Sequence, residues 1–288
     1  MTKPIFTGVC TALVTPFLEN RLNTPMLRQL IRRQELAGLD ALLICGTTGE
    51  SAALTDTEKL ELFKTSREAI PEGVPFIAGT GSNNTAHAVA LSRAAQELGA
   101  DALLVVSPYY NKATEDGLYR HYRRIAEAVS IPVILYNVPS RTGLDIPVSV
   151  YQKLAEIPNI VGVKEASSDI RKIAWTRHQC PRNFSVWCGN DDLAVPALSL
   201  GASGLISVVS NVEPELTLAM TKAALDGDFD TASDLQCKLL PLIQALFREV
   251  NPVPVKEALK QIGLDCGSCR LPLGNASPET KEALASLL

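Results

Sequence analysis

Eight short, nearly unbroken apolar runs punctuate the chain, at residues 8–14, 41–45, 76–79, 102–106, 133–136, 160–164, 185–188 and 204–207, each followed by a polar turn. Between them lie stretches with helical spacing of apolar residues, among them 25–36, 56–70, 85–98 and 118–129. A strand that is apolar on both faces is covered on both, as in a parallel sheet sheathed by helices. Eight such units close naturally into a barrel. The joints agree: Ala37-Gly38-Leu39-Asp40-Ala41 and Leu98-Gly99-Ala100-Asp101-Ala102 share one pattern, echoed by Leu200-Gly201-Ala202-Ser203-Gly204. Each puts glycine where a helix needs a left-handed cap before a strand begins. An open doubly wound sheet would want a glycine-rich phosphate loop after the first strand, and Thr15-Pro16-Phe17 is not one. The expected fold is α/β: a (β/α)8 TIM barrel over residues 1–225 and a C-terminal helical region over 226–288, with helices at 230–250, 254–262 and 278–288.

The net charge of -4 is spread in both signs, with no aromatic-rich basic patch, so nucleic acid is not an expected partner. No apolar run approaches the roughly 20 residues of a membrane span, and the first residues lack a secretory pattern. Seven dispersed cysteines, an odd number lying mostly in apolar segments, suit a reduced cytoplasmic setting better than a disulfide framework.

Catalytic groups of such barrels sit at the C-terminal ends of the strands. Lys164 closes the sixth run. With a period of two, Ile160, Gly162 and Lys164 share one face, and Val161, Val163 and Glu165 the other. A lysine pointing into a barrel is costly unless paired or neutral, and a neutral amine is a nucleophile. Pairing with Glu165 or Asp169 is the competing reading, and the strand pattern alone does not separate the two. Tyr136 ends the preceding run, so adjacent strands would set it beside Lys164, where a phenol can pass protons; taken alone it reads as a rim tyrosine that only packs, and its coincidence with Lys164 shifts that balance. Gly46-Thr47-Thr48-Gly49-Glu50 is a tight loop whose N–H groups and hydroxyls could cradle a carboxylate; taken without context it reads first as a plain turn, with Thr and Glu serving the next helix. Arg141 offers bidentate carboxylate binding, or is a solvated loop residue. Tyr109 and Tyr110 suggest stacking or an interface. The isolated Cys266/Cys269 pair has no partner pair or nearby histidine for zinc, and His87, His121 and His178 fall on separate helical segments, so no metal is expected. Residues 249–254 read as a break between helices.

Taken together, the chain resembles the dihydrodipicolinate synthase family, within the superfamily that also contains N-acetylneuraminate lyase. The resemblance runs nearly full length, through Thr15-Pro-Phe17, Gly46-Thr-Thr-Gly-Glu-Ser51, Gly79-Thr-Gly81, Pro108-Tyr-Tyr-Asn111, Tyr136-Asn-Val-Pro-Ser-Arg-Thr-Gly143, Val163-Lys-Glu165 and Asn251-Pro-Val-Pro-Val-Lys256. It implies a class I aldolase-type lyase of the diaminopimelate route to lysine, condensing pyruvate with L-aspartate semialdehyde. Lys164 would form the imine, and Thr47 and Thr48 would bind the pyruvate carboxylate. Tyr136, Thr47 and Tyr110 would relay protons, Tyr110 coming from a neighbouring subunit. Arg141 would hold the carboxylate of the aldehyde, and the backbones of Gly189 and Ile206 would line the pocket. No metal or organic cofactor is implied, and a homotetramer built as a dimer of dimers is expected.

The cleft that binds lysine in feedback-inhibited members would comprise Ser51, Ala52, Asn83 and Tyr109, which match, and Asp56, Lys59 and His87, which depart. A cation at Lys59 should repel the ammonium groups of lysine, so weak or absent inhibition is expected. An N-acetylneuraminate lyase or keto-deoxy sugar acid aldolase is the nearest rival; it would need polar groups for a long hydroxylated substrate, whereas Arg141 suits a short carboxylated aldehyde. A barrel kept only as a binding scaffold would be expected to lack one of the lysine, tyrosines or arginine. A metal-dependent aldolase would need a His/carboxylate cluster.

Overall fold

The computed structural model describes residues 4–288. Eight strands, β1 (Gly8–Ala12), β2 (Ala41–Ile44), β3 (Phe76–Gly79), β4 (Ala102–Val106), β5 (Val133–Asn137), β6 (Ile160–Glu165), β7 (Ser185–Cys188) and β8 (Gly204–Ser207), pair in parallel and in sequence order. The sheet closes where β1 pairs with both β8 and β2, making the (β/α)8 barrel. The helices are α1 (Thr24–Ala37), α2 (Asp56–Ala69), α3 (Thr85–Glu97), α4 (Glu115–Ala126), α5 (Val148–Leu154), α6 (Arg171–Gln179), α7 (Ala194–Ser199), α8 (Pro214–Leu225), α9 (Phe229–Leu246), α10 (Val253–Gln261) and α11 (Pro278–Ala285). A two-stranded ribbon, Phe17–Leu18 with Arg21–Leu22, follows β1 and has no counterpart in the sequence expectation. Among the described residues no helix is long and apolar enough to cross a membrane.

Local chemistry sets the boundaries. Asn23 accepts from the Met26 amide at the start of α1, Pro25 fits the first turn, and Gly38 ends the helix at φ 83. Thr55 and Glu58 form a capping box on α2. Alternation along the strands produces two cores. Cys10, Ala12, Leu43, Ile77, Leu104, Ile134, Tyr136, Trp187 and Ile206 fill the barrel, while Leu42, Leu103, Leu135, Val163, Val186 and Leu205 pack outward against the helices.

The sixth strand corrects the simple period of two. Val133 pairs with Ile160, but Ile134 pairs with Gly162, so Val161 is an extra residue and the strand is bulged there. Ile160 consequently joins the outer core and does not share the face of Lys164. Beyond the bulge the alternation resumes, with Val163 outward and Lys164 inward.

Candidate active site

Lys164 and Tyr136 are register partners across β5 and β6, and the lysine Nζ lies 4.4 Å from the centroid of the phenol ring. Both side chains are buried, at 5% and 6% exposure. Among the described residues no carboxylate lies within ion-pair distance of Lys164 Nζ. The competing pair reading therefore fails on geometry. Asp169 is taken by Arg171, at 2.8 Å, and Glu165 faces the other side of the strand. Room for the lysine comes from Gly189: a Cβ there would lie 2.9 Å from Lys164 Cε and 2.7 Å from Ala166 Cβ. Ile206, fully buried on β8, contributes to the same interior ring.

Behind this pair, outside the barrel, a polar network fixes the ends of β5 and β6. Asn137 Nδ2 donates to Glu165 Oε1 at 2.8 Å and to Asp145 Oδ1 at 2.8 Å, and Asp145 also holds Lys172. The Tyr151 hydroxyl donates to Glu165 Oε2 at 3.0 Å, and the Ser167 amide to Oε1 at 2.9 Å. Burial, with the Glu165 charge beside it, pushes the Tyr151 phenol well up, so it keeps the proton it donates. Asn137 follows Tyr136 and Glu165 follows Lys164 in sequence. The bond between the outward pair thus holds the inward pair in register. On the other flank, buried Asp191 accepts from the Ser207 hydroxyl at 2.6 Å and the Val208 amide at 2.9 Å. It ties the end of β8 to the loop that carries Gly189. Burial pushes its carboxyl up, against these hydrogen bonds and the pull of the Lys164 charge.

The loop of residues 46–50 runs between two left-handed residues, Cys45 at φ 56 and Glu50 at φ 54. Such conformations in side-chain-bearing residues persist only where their surroundings enforce them. Here the enforcement comes from the C-terminal region. Glu50 is buried against Lys256 of α10 at 2.6 Å and accepts the Arg270 amide at 2.8 Å. Arg270 also grips Glu58 at 2.5 Å, and the Phe17 ring centroid lies 4.3 Å from Lys256 Nζ and 4.2 Å from Arg270 Cζ. Glu50 accordingly serves the C-terminal region, not the next helix as the plain-turn reading had it. Thr48 is buried, and its Oγ1 accepts from Asn251 Nδ2 at 3.0 Å; Thr47 is half-buried beside it. Arg141, exposed on the single helical turn Pro139–Thr142, donates from Nη2 to the Asn251 carbonyl at 3.0 Å. Asn251 is the residue that sequence reasoning passed over as part of a helix break. The signal available was its place in the stretch 251–256 that carried the family resemblance. A cleft of about 960 Å³ opens between the ends of β5–β7 and α9, lined by Ser140, Ala166, Ser167, Asn190, Asp191 and Phe247.

Tyr110 does not enter this barrel. It is held at φ 72, and its side chain is 90% exposed, projecting from the surface beside the half-exposed Tyr109. The loop is pinned by Asn111 Nδ2, which donates to the Asn83 carbonyl at 3.0 Å. Asp56, Lys59 and His87 do gather, across α2 and α3. Asp56 meets His87 Nε2 at 2.9 Å and Lys59 Nζ at 3.5 Å, and His87 Nδ1 contacts the Ser82 hydroxyl at 3.1 Å. The His87 hydrogen bond holds the Asp56 carboxyl below its ordinary value. Ser51 and Ala52 form the short 3-10 turn leading to α2. The described histidines His87, His121 and His178 lie on α3, α4 and α6 and do not converge.

Residues 5–288 match the profile of the Dihydrodipicolinate synthetase family. A 4-hydroxy-tetrahydrodipicolinate synthase of Acetivibrio thermocellus is 48% identical over 288 residues, covering 100% of this chain and 98% of that one. The crystal structure of a dihydrodipicolinate synthase from Thermotoga maritima superposes with a TM-score of 0.97 at 40% identity, covering 99% of this chain and 98% of that one. A lysine-bound enzyme of the same name from Cyanidioschyzon merolae superposes with a TM-score of 0.96 at 38% identity, covering 99% and 98%.

Proposed function

This chain belongs to the dihydrodipicolinate synthetase family, and we propose how its barrel rim performs the reaction of a 4-hydroxy-tetrahydrodipicolinate synthase. That activity is a lyase step of the diaminopimelate route to lysine, and it is favoured over a sugar-acid aldolase. The substrates are pyruvate and L-aspartate semialdehyde. The observation that carries the mechanism is a buried lysine, free of any carboxylate partner among the described residues, lying against a tyrosine ring at the C-terminal rim.

The Lys164 nitrogen attacks C2 of pyruvate; once a proton is delivered to its oxygen, the carbinolamine loses one water to give the protonated imine. Loss of a methyl proton yields the enamine, whose carbon attacks the aldehyde carbon of the second substrate. The amino group of the new chain then attacks C2, closing the ring and displacing Lys164. The lysine is regenerated, so the chemistry needs no metal or organic cofactor. Thr47 and Thr48 hold the pyruvate carboxylate, Arg141 holds that of the aldehyde, and Gly189 and Ile206 line the pocket. Tyr136 passes protons to and from the carbinolamine oxygen, in relay with Thr47 and with Tyr110 of a second copy. The outward, left-handed pose of Tyr110 supports that last assignment, because a bulky residue at positive φ is a genuine outlier. A homotetramer built from such dimers is our reading of the assembly. The unpaired cysteines suit a reducing cytoplasm. The Asp56–Lys59–His87 cluster leaves lysine a poor feedback ligand here.

Borohydride reduction in the presence of pyruvate, followed by peptide mass spectrometry, tests the mechanism. One three-carbon adduct on Lys164, lost in Lys164→Ala, is expected. No adduct, or an adduct on another lysine, overturns it.

A further inference from the structure

We infer that Asn251 is a positioning residue of this reaction, orienting the hydroxyl proton of Thr48 toward the pyruvate carboxylate while its carbonyl steadies Arg141. The inference rests on the Schiff-base reading above. Asn251 stands 203 positions from Thr48 in the chain, in the break between α9 and α10, and is 5% exposed. Its Nδ2 donates to Thr48 Oγ1 at 3.0 Å. A hydroxyl has one proton and two lone pairs. With a lone pair engaged by Asn251, the proton of Thr48 is turned elsewhere, and no acceptor among the described residues receives it. It is therefore free for a ligand oxygen. Were the amide reversed, an acceptor would face Thr48 and take up that proton.

The second contact is made by the backbone: Arg141 Nη2 donates to the Asn251 carbonyl at 3.0 Å, and among the described residues the guanidinium has no carboxylate partner. One residue thus spans the groups assigned to the two substrate carboxylates, one through its side chain and the other through its main chain. The arrangement is incomplete in a telling way. Asn251 Oδ1 is buried and finds no donor among the described residues. A purely structural asparagine would be expected to satisfy both ends of its amide.

The two contacts separate by mutation, because substitution removes the side-chain bond and keeps the carbonyl. Asn251→Asp is nearly isosteric and tests the sense of the bond. Its carboxylate accepts the Thr48 proton and repels the pyruvate carboxylate. Half-saturation by pyruvate, read by borohydride trapping, is expected to rise at least about tenfold, the scale of losing a hydrogen bond to a charged group. The KM for the aldehyde is expected to stay within about threefold, because its arginine contact is retained. Asn251→Ala should weaken pyruvate alone in the same way, and should add nothing to Thr48→Val in the double variant. Unchanged pyruvate half-saturation in Asn251→Asp overturns the inference, as do a parallel rise in both constants and multiplying effects in the double variant. Absence of an adduct in the unsubstituted protein overturns the Schiff-base reading, and this inference with it.

Discussion

Gly189 is the wall against which the Lys164 side chain lies: a single added carbon there would come within 2.9 Å of Cε. The requirement is local, because the neighbouring obstruction, Ala166 Cβ at 2.7 Å, belongs to the same strand end as the lysine. Glycine is needed here for space.

Gly189→Ala is expected to displace the lysine while leaving the barrel folded. Overpacking costs about 1–3 kcal/mol, visible as a lowered melting temperature. The rate of borohydride-trapped adduct formation should fall at least about tenfold, since small misplacements at a reacting centre are strongly felt. An unchanged trapping rate would refute the assignment of this contact.

Tyr136→Phe keeps the ring beside Lys164 and removes only the hydroxyl. If the phenol passes protons, kcat falls by about 10²–10⁴ while pyruvate is still trapped at saturation. A variant with near-normal kcat would reduce Tyr136 to a packing residue.

Glu165→Ala leaves the donors on Asn137, Tyr151 and Ser167 without their acceptor. Stranding buried donors costs about 1–3 kcal/mol each, so a loss of about 3 kcal/mol or more in urea unfolding is expected. Tyr151→Phe, which removes one bond and its donor together, should cost about 1 kcal/mol. Equal losses in the two variants would mean that the network does not act through Glu165.

The Glu58–Arg270 pair gives an acid-sensitive contribution to stability. The Arg270 hydrogen bond holds the Glu58 carboxyl at about 2, against an ordinary 4.5. The lowered value means the pair contributes fully above pH 4.5 and is lost as the pH falls toward 2. Glu58→Gln should therefore lower stability by about 1 kcal/mol at neutral pH. The gap in melting temperature should close on acidification. A gap that persists at the acid end would exclude the charge as its source.

Added lysine is expected to leave steady-state turnover unchanged through the submillimolar range. On the reading that this cluster is the lysine cleft, Lys59 would set a cation against a cationic ligand, and Asp56 is already engaged by His87 and Lys59. Clear inhibition in that range would show that the cluster reorganises around the ligand.

The barrel was legible because its strands are covered on both faces, which writes each of them as an apolar run. The lysine and tyrosine were legible because both end such runs. The bulge at Val161 was not, since an extra residue in an apolar stretch leaves hydrophobicity unchanged and shifts only the facing of what precedes it. Asn251 and Lys256 escaped because their partners, Thr48 and Glu50, lie some two hundred positions away, and no local period encodes such a pairing. Tyr110 could be read as exposed, but its left-handed backbone has no sequence signature.

The clasp between Glu50, Lys256 and Arg270 also orders events in time. Ribosomes release the barrel strands first, so a nascent chain can carry Lys164, Tyr136 and both threonines before the segment that braces their loop exists. Competence then arrives with the later-made helices. An interrupted or proteolytically shortened chain, however well its strands close, would hold the reactive amine without a properly shaped receptor for the acid it must capture. On the Schiff-base reading, onset of turnover would then wait on completion of the chain, because the segment that braces the loop is made last.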